Sequence, residues 1–164
     1  MRRTPTPAER HWDDLSYAQR FAVWSIRLWL AERLGDETAA ERSRTAFARA
    51  GAEDAPAALD GLMRCVSSLP SRPVRLAPVS RAALSEDEAA LLRALAVAQA
   101  DGPVDGLLTL RCMFGPEGCR VVRSRCAEYA RALASAGLDL GGAAGVGAVP
   151  PPRHVPFTEA VVRS

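Results

Sequence analysis

The chain has 164 residues, 48% of them hydrophobic, 24% charged and only 5% aromatic. That length and apolar share suit one globular domain with a core of Leu, Ala and Val. The formal net charge of +2 is too weak a field to argue for a nucleic acid or an anionic membrane as partner.

Residues 1–10 are rich in Arg, Pro and Thr and are expected to fray. Ser16 then opens a helix through the capping box Ser16-Tyr-Ala-Gln19, which runs to about Leu34 and stops at Gly35. This first helix carries two apolar stripes: Tyr17, Phe21, Trp24 and Leu28 in one arc, and Val23, Ile26, Leu30 and Leu34 nearly opposite. Arg20 and Arg27 share a strip between them, and Trp29 lies on the other flank. A helix apolar on two faces is either central in its domain or covered by a partner.

A second capping box, Thr38-Ala-Ala-Glu41, predicts a helix through Phe47 to Ala50, ended by Gly51. Asp54 then caps a third helix with Pro56 in its first turn. Its apolar face is Leu59, Leu62, Met63, Val66 and Leu69, and Pro70 ends it. Residues 70–83 contain three prolines and are expected to be extended and irregular, since prolines disfavour a strand. Ser85-Glu-Asp-Glu88 is the third capping box. Its clustered carboxylates Glu86, Asp87 and Glu88 are accounted for by the helix dipole. Leu91, Leu92, Leu95 and Ala98 line the buried face of that helix.

Pro103 is expected to start a short helix to about Met113, broken by Gly115-Pro116. A last helix then covers about Glu117 to Ala136 and stops at Gly137. Its core stripe is Cys119, Val122, Cys126, Tyr129 and Leu133, with Arg120, Arg123 and Arg131 on a solvent-facing arc. The fold class is therefore all-α: a single compact bundle of about six helices over 11–140, with a flexible N-terminus over 1–10 and a disordered Gly/Pro-rich tail over 141–164.

All 21 basic residues are Arg, there is no Lys or Asn, and Ile26 is the one isoleucine. This bias reads as GC-rich coding, as in many small bacterial helical proteins, so the Arg content carries little functional weight. The longest strongly apolar run, Phe21 to Ala31, is interrupted by Arg27 and is too short to cross a bilayer. No apolar stretch follows the basic start, so no secretory signal is expected and the expected compartment is the cytoplasm.

Few residues have the types and spacing that chemistry needs. Cys112, Cys119 and Cys126 recur at seven-residue intervals, which would put three thiols on one face of an unbroken helix. With His154 they are the candidates for a metal or redox site, although Gly115-Pro116 breaks their register and Cys119 and Cys126 fit an apolar stripe. His11-Trp12-Asp13-Asp14 reads as an entry segment for the first helix rather than as a ligand cluster. The two histidines are peripheral, and there is no nucleophile elbow, phosphate-binding Gly loop or zinc-protease motif. No catalytic residue, cofactor or metal is therefore expected.

What remains is the first helix, whose aromatic and Arg content is what interface cores enrich. The expected function is a non-enzymatic interaction or accessory protein that self-associates or binds a protein partner through Tyr17, Phe21, Trp24, Leu28 and Trp29. The alternatives are a thiol- or metal-dependent redox protein or sensor using the three late cysteines, or a helical regulator that binds a small ligand or DNA.

Overall fold

The helix starts follow from side-chain caps that the local sequence supplies. A computed structural model describes residues 10–101 and 108–141. Within them α1 (Tyr17–Arg33) begins at the Ser16 capping box: Gln19 N–H donates to Ser16 Oγ at 3.3 Å and Ser16 N–H to Gln19 Oε1 at 3.1 Å. Gly35, at φ +97°, turns the chain out of α1.

Helix α2 (Glu37–Ala50) starts earlier than the Thr38 box predicts. Asp36 is the cap, and its Oδ1 accepts from both Thr38 N–H at 3.0 Å and Thr38 Oγ1–H at 2.8 Å. A carboxylate at the helix start gains from the dipole as well as from these bonds, so it outcompetes the neutral hydroxyl two residues on. Helix α3 (Ala55–Ser68) follows Asp54, whose side chain makes no capping bond; Pro56 sits in the first turn. Helix α4 (Glu86–Gln99) begins at the Ser85 box, as its sequence predicts.

Helix α5 (Leu108–Ser135) contains one non-helical residue, Gly115, at φ 69° and ψ 178°. The described residues thus count as five helices where six were expected, because the helical stretches on either side of Gly115 abut across this kink; the break expected at Gly115-Pro116 is there, with no connecting loop. Pro116 is tolerated there because the kink has already interrupted the hydrogen-bond ladder that its missing N–H would break. The predicted start at Pro103 and the predicted tail beyond residue 141 lie outside the described residues.

Helix α5 packs against α4 and α3, while α1 packs against α2 and also touches α3 and α4. All eight residues from Phe21 to Leu28 are buried, so α1 is the central helix. Its Phe21, Val23 and Ile26 join Phe47, Leu62, Leu91, Tyr129 and Leu133 in the main core. Phe21 meets Phe47 edge-on, with ring centroids 5.2 Å apart. Its other face, Trp24 and Leu28, forms a smaller cluster with Ala39, onto which Trp12, Ala46 and Val79 pack.

After α5, Leu138 N–H closes back on Leu133 O at 3.0 Å, and Leu138 and Leu140 are buried. Two glutamines hold this stretch in place. Gln99 accepts from Leu140 N–H and donates to Leu138 O, while Gln19 donates to Leu140 O. Residues between α3 and α4 form no regular element, and among the described residues the one β-bridge joins His11 to Ala83.

Candidate functional site

The densest group of buried ionisable side chains lies where α1, α4 and the irregular segment between α3 and α4 meet. Arg27 is 1% exposed and Glu88 is 1% exposed. They form a bidentate pair, Nε to Oε1 at 2.8 Å and Nη2 to Oε2 at 2.9 Å. Two of the three remaining guanidinium protons go to backbone: Nη1 donates to Arg81 O at 2.6 Å and Nη2 to Ala83 O at 3.0 Å. Glu88 also accepts from Ala77 N–H at 3.0 Å and Ser85 N–H at 2.9 Å. The Trp12 ring centroid lies 5.5 Å from the Arg27 guanidinium.

Asp87 is arranged the same way. It takes Arg72 bidentately at 2.6 and 3.0 Å and accepts from Arg75 N–H at 2.7 Å. Burial alone pushes its carboxyl upward; the Arg72 and Arg75 N–H bonds outweigh that and hold it below the ordinary aspartate range. The helix dipole therefore accounts for the exposed Glu86 but not for Asp87 and Glu88, whose side chains tie the following element to the preceding one. Arg27 was visible in sequence only as a charge inside an apolar run. Its partner is 61 residues away, which no local pattern can supply.

The cysteines do not converge. Cys119 and Cys126 are buried in the core stripe, Cys112 is exposed and Cys65 is half-buried on α3. Burial pushes the Cys126 thiol up to about 12, with a smaller contribution from Cys119. Among the described residues no three His, Cys, Asp or Glu side chains come together to hold a metal ion, and His154 lies outside those residues. His11 is exposed, its Nδ1 3.8 Å from Asp13. Arg120, Arg123 and Arg131 are all exposed on α5, and no described helix is long and apolar enough to cross a membrane.

The residues expected at an α1 interface differ in their exposure. Phe21, Trp24 and Leu28 are at most 6% exposed, covered by α2, Trp12 and Val79, so in this conformation they offer no surface to a partner. Sequence periodicity shows that a face is apolar, not what covers it. Tyr17 is exposed at its N-terminal end, and Trp29 is partly buried on its flank.

Trp29 anchors a polar cluster on the surface. Its Nε1–H donates to Asp60 Oδ1 at 3.0 Å, and the Arg33 guanidinium lies 4.6 Å from its ring centroid. Asp60 also pairs with Arg33 at 3.4 Å and with Arg64 at 2.6 Å. The Trp29 bond, with Arg64 and Arg33 adding to it, lowers the Asp60 carboxyl from its ordinary range. Trp29 was singled out from sequence; Asp60 and Arg64 were not, because nothing in α3 distinguishes them from an ordinary solvated i,i+4 pair.

Compared with protein-family models, curated proteins and solved structures, the chain matches none.

Proposed function

We propose that this chain is a non-enzymatic helical interaction protein that self-associates through the C-terminal half of α1. The observation that carries the reading is the surface cluster of Trp29, Arg33, Asp60 and Arg64. Trp and Arg are the residue types that dominate interface hot spots. Here the indole and guanidinium are held in place by one carboxylate, which lowers the ordering cost of binding. The cluster contains both signs of charge. In a two-fold dimer the same patch meets itself, so Arg33 of one copy can face Asp60 of the other.

The ionisable groups with buried side chains support the non-enzymatic part. Arg27 and Glu88 spend their hydrogen-bonding capacity on each other and on backbone, and Asp87 spends its own on Arg72 and the Arg75 N–H, which leaves little of it for a substrate.

Light scattering on a size-exclusion column tests the proposal. The wild-type protein is expected to elute as a dimer at high concentration, and Arg33→Glu to elute as a monomer. Arg131→Glu, an exposed change on α5, serves as the control and keeps the dimer. A wild-type monomer at every concentration, or an Arg33→Glu dimer as tight as wild type, overturns the reading.

A further inference from the structure

We propose that Arg27 is the latch of a two-segment cover: residues 10–15 and 76–84 close over the Trp24–Leu28 face of α1 and are released together when the latch is broken, with the helices left assembled. The inference does not depend on the self-association reading.

The two segments are joined to each other by backbone. Trp12 N–H donates to Ala82 O at 2.7 Å, Leu84 N–H donates to Arg10 O at 3.1 Å, and His11 pairs with Ala83 across the bridge. Each supplies one apolar side chain, Trp12 and Val79, to the small cluster around Trp24, Leu28 and Ala39. Leu15 and Leu84, the last residue of each segment, are buried in the main core, and Trp12 and Leu76 also rest against it, so release of the cover means lifting residues 10–14 and 76–83 about those two anchored ends.

The attachment of the cover to the helices is mostly polar. Apart from the anchoring Leu15 and Leu84, only Ala77 is buried within the two segments, and Arg20 ties the first of them to α1 through Leu15 O and Asp13 O. What holds the second segment is the Arg27 guanidinium on Arg81 O and Ala83 O, and Glu88 on Ala77 N–H. Arg27 also lies against the Trp12 ring of the first segment. One buried side chain therefore touches both segments and is itself aimed by Glu88. Regions with few buried apolar contacts open at lower free energy than the core around them. A buried ion pair is weak evidence for net stability, and fixing one conformation is an attested role for such pairs in some proteins. Both considerations assign the pair a positioning role for the cover.

Hydrogen exchange on the full-length protein, read by peptide, is the test. Arg27→Met alone leaves Glu88 buried without its cation and risks misfolding, so the decisive variant is Arg27→Met/Glu88→Gln. It removes both charges and keeps an acceptor for the segment. The expected result is that peptides over 10–15 and 76–84 exchange faster by a common factor, at least about tenfold, while those in α1–α5 keep wild-type rates. Arg72→Gln breaks the Asp87 anchor and is expected to speed exchange over 71–75 without affecting 10–15. The proposal is overturned if the double variant accelerates only one segment, accelerates neither, or accelerates every helix equally. It is overturned as well if Arg72→Gln releases residues 10–15.

Discussion

The thiols offer the sharpest quantitative test of this packing. Cys119 and Cys126 occupy the α5 stripe that faces the core, with Cys126 1% exposed. A thiol must ionise to attack a disulfide reagent. With its titration moved by burial up to about 12, Cys126 presents about a thousandfold less thiolate near neutral pH than an ordinary cysteine. Steric exclusion multiplies that factor, because the reagent enters only when the helix opens. Native protein treated with an aromatic disulfide at mildly alkaline pH should therefore release one thiol quickly from Cys112, a second more slowly from Cys65, and the last two only after denaturant is added. Substitution separates packing from chemistry. Cys126→Ala removes one sulfur from a filled site and is expected to cost about 1 kcal/mol. Cys126→Ser leaves a buried hydroxyl short of partners and is expected to cost about 1–3 kcal/mol. Four thiols reacting at one rate in the native protein would refute the argument and return weight to a redox or metal-binding role for Cys112, Cys119 and Cys126.

Two further predictions concern the buried polar contacts. Tyr129 O–H and Ser25 Oγ lie 2.6 Å apart, and Ser25 Oγ–H also donates to Ala22 O. Tyr129→Phe is expected to destabilise by about 1 kcal/mol in urea unfolding. Adding Ser25→Ala should cost less than the sum of the two single changes, because the hydroxyls then disappear together; strict additivity would rule out a shared bond. The second concerns acid. Asp87 is held below the ordinary aspartate range, so its contribution to stability is fully present above the unfolded-state value of about 3.9 and is lost as pH falls through the folded-state value. Asp87→Asn should therefore be clearly less stable than wild type near neutral pH, and the gap should narrow below about pH 4. A gap that stays constant across that range would show that the Arg72 and Arg75 contacts do not depend on ionised Asp87.

Most helix starts and stops were legible because they are local. Ser16 and Ser85 each reach three residues forward, and Gly35, Gly51 and Gly137 adopt left-handed conformations at helix ends. The core stripes of α3, α4 and α5 were legible for the same reason, since 3.6-residue periodicity is a property of one element; Leu69, expected on the α3 face, is 38% exposed because the helix ends at Ser68. Two departures were local. Asp36 overrode Thr38 as a cap, and the break expected at Gly115 is a one-residue kink between two abutting helical stretches rather than a loop that separates them.

The role of α1 was a different kind of question. Its two apolar faces allow a central helix or a partnered one, and the answer rests on residues with no periodic signal. Trp12 precedes the helix, and Val79 sits in a proline-rich segment that fails every pattern test for an element. Both are brought over Trp24 and Leu28 by Arg27, whose meaning depends on Glu88. Read alone, each of the two charges has a sufficient explanation: Arg27 as a flank between stripes, Glu88 as half of a capping box. A charge in the middle of an apolar run is expensive to bury without a partner. The sequence leaves open whether Arg27 is buried; in the fold it is, and that burial is what demands a long-range acceptor. Following that demand to the carboxylates at the start of α4 places the segment between α3 and α4 across α1, and with it the cover over the second face.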